Sequence, residues 1–260
     1  MRIARYAVDG DVWFGIVQGL RDAGPADLVV AQVAGHPFGP LEPTGVVHPL
    51  PAVRLLAPVL PSKVVCIGKN YADHVAEMDG TAPVNPVMFL KPSTSVVGPG
   101  DAVLLPRDSK RVDHEAELAV VIGRLCREVP RERAAEVVLG YTCANDVTAR
   151  DQQQADGQWT RGKGHDTFCP LGPWIETEVD PDDLRVRCEV DEVVRQDGRT
   201  RDLLHGVPDL IAWISAVMTL IPGDVILTGT PAGVGPLQPG EVVTVDVEGV
   251  GALSNPVRAR

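Results

Sequence analysis

The stretch VDHEAELAVVIG, residues 112–123, decides how the chain reads, because it sets two carboxylates at the head of an apolar run. Along an extended chain, His114, Ala116, Leu118, Val120 and Ile122 fall on one side and Glu115, Glu117, Ala119 and Val121 on the other. Glu115 and Glu117 therefore share a face, with Cα atoms about 6.6 Å apart at the rise of a strand. At that distance their side chains can converge on one hard cation. Without a cation they repel, and one is driven toward its protonated form.

A third carboxylate, Asp146, closes the apolar stretch GYTCAND (140–146) at an expected strand end, just before the turn into TARDQQQ. Three carboxylate oxygens, completed by waters or substrate oxygens, make the octahedral oxygen shell that magnesium or manganese prefers. The other reading pairs these acids with Arg150, Lys163 or surface cations, and spacing does not decide between the two.

Working outward, residues 1–60 carry short apolar stretches (Arg2 to Val8, Val12 to Val17, Leu28 to Val33) broken by Gly and Pro, and end in a Pro-rich linker. They read as a small β-rich N-terminal domain. Residues 61–260 change texture to many short Val- and Ile-rich strands, which gives an α+β, mainly β fold. Strands are expected at Val64 to Ile67, Ala102 to Leu105, Leu118 to Ile122, Leu184 to Val190, Val225 to Thr228 and Val242 to Val247. Two helices are expected: Arg131 to Leu139, between Pro130 and Gly140, and Pro208 to Thr219.

A formal net charge of −11 and the lack of a long basic run exclude a nucleic-acid surface and favour small-molecule partners. No apolar run approaches the roughly 20 residues that span a bilayer, and no signal peptide is visible, so a cytoplasmic protein without membrane contact is expected. The five cysteines are scattered and contain no C-x-x-C pair, which leaves them as small core residues.

Three further features carry chemistry. His74 and Glu77 in YADHVAEM are three apart, so one helical turn places both on a single face, where a carboxylate orients an imidazole and raises its basicity. A solvated surface turn is the alternative. Lys163 precedes the Gly164-His165-Asp166 turn, from which an ammonium can face the anionic site. The loop TGTPAGVG (228–235) offers backbone N–H groups and the Thr230 hydroxyl to a carboxylate, and it lacks the Lys-Ser/Thr pair of a phosphate loop.

Six segments occur in the order found in the fumarylacetoacetate hydrolase family: IGKNYADH (67–74), PVMFLKPST (86–94), HEAELAVVIG (114–123), NDVTARD (145–151), KGHDTFCPLGPW (163–174) and PGDVILTGTPAGVG (222–235). The resemblance spans roughly Lys63 to Pro256 and implies that family's mixed β-roll. It matches Glu115, Glu117 and Asp146 to metal ligands for Mg2+ or Mn2+. His74 and Glu77 match the water-activating dyad on the lid of hydrolytic members, and Lys163 matches a lysine beside the metal. It also favours Thr230 and Gln153 as substrate contacts, with Arg150 in reach. Lys91 matches a family position too. His165 departs from the pattern, standing where members usually carry an aromatic residue. A homodimer is expected by the same likeness.

The resemblance implies cleavage of a carbon–carbon bond in an acylpyruvate-like 2,4-dioxo acid, with His74 activating water and Lys163 steadying negative charge. Isomerisation of a 2-hydroxydienedioate and decarboxylation of a 2-oxo acid such as oxaloacetate are the rivals on the same site. A non-catalytic 2-oxo acid binding protein is the alternative of another class. A dehydrogenase is excluded, since no Gly-rich fingerprint opens a βαβ unit.

Overall fold

The computed structural model describes residues 1–20, 24–77 and 81–260. The chain folds around a 12-stranded sheet. From edge to edge its main path runs through Leu41–Pro49, Val29–Gly35, Asp11–Gln18, Arg2–Val8, Cys169–Glu176, Val138–Asn145, Ala116–Ile122, Val225–Leu227, Val64–Gly68 and Val87–Lys91. Along this path only Val225–Leu227 and Val64–Gly68 pair in parallel. A five-stranded sheet (Val193–Arg199, Arg185–Val190, Val242–Val247, Gly251–Ala259, Val103–Leu105) packs against it. A three-stranded sheet joins Val112–His114 to Thr148–Ala149 and Gly235–Pro236.

Ala116–Ile122 lies inside the large sheet, buried on both faces. Leu118, Val120 and Ile122 enter one apolar cluster with Val186, Val245 and Leu253 of the smaller sheet and Leu210, Ile211 and Ile214 of a helix. Ala119 and Val121 enter a second cluster with Val64, Cys66, Ala144 and Ile175. Burial on both faces explains the unbroken apolar run after Glu117. The two glutamates sit where this run ends, at the mouth of the sheet. The N-terminal strands are not a separate layer: Arg2 and Ile3 pair with Glu176 and Ile175, so Arg2–Val8, Asp11–Gln18, Val29–Gly35 and Leu41–Pro49 extend the large sheet.

Four α-helices complete the described residues: α1 (Ala72–Glu77), α2 (Arg150–Asp156), α3 (Thr160–Lys163) and α4 (Val207–Val217). α4 matches the expected helix to within its ends, and its apolar residues bury as the spacing requires. The helix expected over Arg131 to Leu139 differs. Arg131–Val137 winds as a 3-10 helix, and Val138 and Leu139 already belong to a strand. Val138 pairs with Ile122, and this ladder, favoured by β-branched side chains, outcompetes further helical turns. All five cysteines are free, and burial pushes the Cys169 thiol up to about 12. Among the described residues no helix is long and apolar enough to cross a membrane.

The doubly buried strand predicts a steep cost for truncation there. Leu118→Ala should lower the unfolding free energy by about 3 kcal/mol, read from urea denaturation followed by circular dichroism. A loss below about 1 kcal/mol would mean that the site relaxes far more than a packed sheet allows.

Candidate metal and substrate site

The backbone brings the three acids together before their side chains do. Between the strands Val112–His114 and Ala116–Ile122 the chain breaks at Glu115, whose N–H donates to the Asn145 side-chain oxygen (2.9 Å). The Asp146 N–H donates back to the Glu115 carbonyl at 2.8 Å. Asp146 is thereby tied across from Glu115, and Glu117 follows on the same face. One ligand oxygen from each of Glu115, Glu117 and Asp146 lies within 4.8 Å of the others, and all three residues are buried.

Cations surround this cluster unevenly. Lys163 Nζ donates to Glu115 Oε2 (2.8 Å) and Asp146 Oδ2 (2.6 Å). Lys91, fully buried, donates to Asp146 Oδ1 (2.5 Å) and to the Val147 carbonyl (3.1 Å). Arg150 links Glu115 Oε1 (2.7 Å) to Asp113 (3.0 Å) and also donates to Gln153 Oε1 (2.8 Å). Glu117 accepts only the Gly229 N–H, at 2.6 Å, and among the described residues no cation bonds to it.

The protonation equilibria follow from that asymmetry. Burial opposes ionisation of Glu115, but Lys163 and Arg150 outweigh it and hold the carboxyl below the ordinary carboxylate range. Glu117 moves the other way: burial, then Asp146 and Glu115, push its carboxyl well above that range. Burial also works against the charge on Lys163, yet Asp146 and Glu115 raise its pKa and keep it an ammonium. A divalent cation fits this set. It would meet hard oxygen donors only, and it would supply the positive charge that Glu117 lacks.

Opposite the acids stands α1. His74 Nδ1 lies 3.3 Å from Glu77 Oε2, as the three-residue spacing requires. Both Glu77 oxygens also accept the Gly233 N–H (3.1 Å each), which fastens α1 to the Gly-rich loop. Gly233 must be glycine, since its φ is +97° and a Cβ would meet the Arg195 carbonyl oxygen at 2.1 Å. The result is a small cavity of about 70 Å³ lined by His74, Glu115, Glu117, Arg150, Gln153, Lys163 and Thr230, with Lys69 and Trp159 among its other walls.

His74, Glu115, Glu117, Arg150, Gln153, Lys163 and Thr230 thus line the cavity, Glu77 and Asp146 bond to His74 and Lys163 of its wall, and Lys91 stands one step behind on Asp146. Two of the expected substrate contacts are also held by bonds within the protein. The Thr230 hydroxyl donates to the Ala116 carbonyl (2.8 Å) and accepts from Gln196 Nε2 (2.7 Å), so its proton is already committed. Arg150, expected near the substrate, also grips Glu115 itself. His165 turns to Gln152 (2.7 Å) rather than to the acids. Gln196 escaped sequence reasoning altogether. It is buried, it accepts the Ala116 N–H between the two glutamates (3.0 Å), and it contacts His114 Nδ1 (3.0 Å). The residues on either side, Arg195 and Asp197, are charged and exposed, so nothing in the pattern marks it.

Residues 63–258 match the family model described as fumarylacetoacetate (FAA) hydrolase, C-terminal, and residues 1–58 match one described as Rv2993c-like, N-terminal. Protein Rv2993c of Mycobacterium tuberculosis is 54% identical over 260 residues, covering 99% of this chain and 98% of that protein. The human mitochondrial oxaloacetate tautomerase FAHD2A is 46% identical over 81% of this chain and 71% of its own. The crystal structure of 2-hydroxyhepta-2,4-diene-1,7-dioate isomerase from Mycobacterium marinum superposes with a TM-score of 0.94 at 52% identity, covering 100% of this chain and 99% of that one. Maleylpyruvate hydrolase from Sphingobium sp. SYK-6, in complex with manganese (II) ion and pyruvate, gives 0.80 at 34% identity with the same coverage. The chain belongs to the fumarylacetoacetate hydrolase family.

Proposed function

We propose that this protein catalyses proton transfer at carbon 3 of a short 2-oxo acid, interconverting keto and enol forms, with a divalent cation, magnesium or manganese, held by Glu115, Glu117 and Asp146. The observation that carries the reading is one base, His74, sharing a small cavity with Glu115 and Glu117, which cluster with Asp146 as three buried carboxylates. The isomerase and tautomerase relatives at 46–52% identity support it, since both of their named reactions move one proton. When bound, the cation would act as a Lewis acid on the keto oxygen of the substrate.

The remaining roles belong to the chain. Glu77 engages His74 Nδ1, which leaves Nε2 as the basic nitrogen. Nε2 takes a proton from carbon 3, the C–H electron pair becomes the C2=C3 double bond, and negative charge develops on the keto oxygen. The Lys163 ammonium, in the same cavity, steadies that charge. His74 then returns its proton to oxygen, giving the enol. Gln153, oriented by the Arg150 donor to its Oε1, offers its side-chain N–H to the head-group carboxylate.

Hydrolysis of an acylpyruvate-type 2,4-dioxo acid is the second reading. It is favoured by the hydrolase relative that holds manganese and pyruvate, and by the same His74–Glu77 pair, which suits activation of a water. Cleavage of acetylpyruvate to acetate and pyruvate would establish it.

Two outcomes are expected. In D2O with added Mn2+, proton NMR should show the wild type exchanging the carbon-3 hydrogens of a 2-oxo acid, and His74→Gln slowing this about 100-fold or more. An unchanged rate would remove His74 from the chemistry. Metal uptake should also depend on pH in a fixed direction. Because the Glu117 carboxyl is raised, a cation must displace its proton, so Mn2+ affinity should strengthen as the pH rises above the ordinary carboxylate range. Calorimetric titrations in two buffers of different ionisation enthalpy should report the proton released, and Glu117→Gln should abolish the difference. Identical heats for the wild type in both buffers would contradict the assignment.

A further inference from the structure

We infer that Lys69 is a specificity-determining residue that receives the second carboxylate of a 2-oxo dicarboxylic acid, an inference that rests on the 2-oxo acid reading above. Lys69 lines the same cavity as His74, Glu115 and Lys163, and it is half-buried. The other two cations of that wall are occupied: Arg150 binds Asp113 and Glu115, and Lys163 binds Glu115 and Asp146. Among the described residues no carboxylate pairs with Lys69. A lysine drawn partly out of water beside a ligand cavity lacks the compensation that buried charges normally find.

Its placement is held by neighbouring contacts. Lys69 has φ +60°, uncommon for a residue with a side chain, and the next residue pins it there. Asn70 donates from Nδ2 to the Thr228 (2.7 Å) and His205 (3.0 Å) carbonyls and accepts the His205 N–H at 2.9 Å. On the other side a Cβ at Gly68 would meet the Trp159 ring at 2.4 Å, so that ring packs on bare backbone beside Lys69. A backbone outlier over-determined by its surroundings at a ligand cavity is a recurring sign of a ligand clamp.

Charge balance selects the ligand. Five carboxylates (Glu77, Asp113, Glu115, Glu117, Asp146) face or bind the site, against the cations Lys91, Arg111, Arg150 and Lys163 with Lys69 as the fifth. With the cation bound and all five carboxylates ionised, the set carries two net positive charges, which a dianionic acid neutralises and a monoanion does not. The geometry of the acid agrees. In a four-carbon 2-oxo dicarboxylic acid, carbon 3 lies between the keto carbon and the second carboxylate. Lys69, His74, Glu115 and Glu117 line one cavity, so an acid held by its head at the glutamates and by its tail at Lys69 keeps carbon 3 inside the cavity that His74 lines.

The test compares oxaloacetate with 2-oxobutanoate, a four-carbon acid without the second carboxylate, on the Mn2+-loaded full chain. For the wild type, kcat/KM of carbon-3 exchange should favour the dicarboxylic acid. In Lys69→Met that preference should fall by about tenfold to a hundredfold, chiefly through KM, and Lys69→Arg should restore most of it. Calorimetric binding of oxalate, which offers only head-group oxygens, reports whether the variant keeps the fold and the metal site. A preference that survives in Lys69→Met overturns the inference. If the wild type exchanges neither acid, the proton-transfer reading fails by itself. Displacement of oxalate then decides the role of Lys69: a lysine-dependent advantage of oxaloacetate over 2-oxobutanoate supports it, and equal displacement overturns it.

Discussion

Three carboxylates buried within one small volume form the constraint on which the rest of the site depends. Left alone they would repel one another and take up protons, because burial penalises each charge. The protein answers with an incomplete set of cations. Lys91, Lys163 and Arg150 neutralise Asp146 and Glu115, while among the described residues Glu117 receives only a backbone N–H. That imbalance separates the site from a structural ion-pair network, in which every charge would find its partner.

The fold supplies the precision. Glu117 extends from a strand buried on both faces, so its backbone cannot shift without disturbing two apolar clusters. Gln196 reaches from the smaller sheet and fixes, with one amide, the N–H of Ala116 and the Thr230 hydroxyl of the Gly-rich loop. The same loop passes its Gly233 N–H to Glu77 and so locates α1 over the acids. The metal-ligand strand, the loop and the base are thus one hydrogen-bonded assembly, built from segments more than 100 residues apart. Contacts of this range exist only once the sheet has formed.

Much of this was legible in the sequence, for identifiable reasons. Glu115 and Glu117 declare their shared face because side chains alternate along a strand, and Asp146 because it ends an apolar stretch. His74 and Glu77 follow from one helical turn. What stayed hidden depends on partners that local pattern does not encode. Gln196 sits in a polar hairpin strand that looks solvated. Lys69 looks like an ordinary charge in a turn until the cavity beside it is seen. The Thr230 hydroxyl reads as a free donor until Ala116 and Gln196 come near it. The stretch after Pro130 was expected to be an α-helix ending at Gly140, but pairing with Ile122 claims Val138 and the residues that follow.

X-ray diffraction from crystals soaked in Mn2+, collected for anomalous scattering, would probe the acid cluster with no assumption about substrate. The predicted result is one manganese peak bounded by carboxylate oxygens of Glu115, Glu117 and Asp146. An empty cluster, with Lys163 still bridging Glu115 and Asp146 at saturating Mn2+, would contradict it.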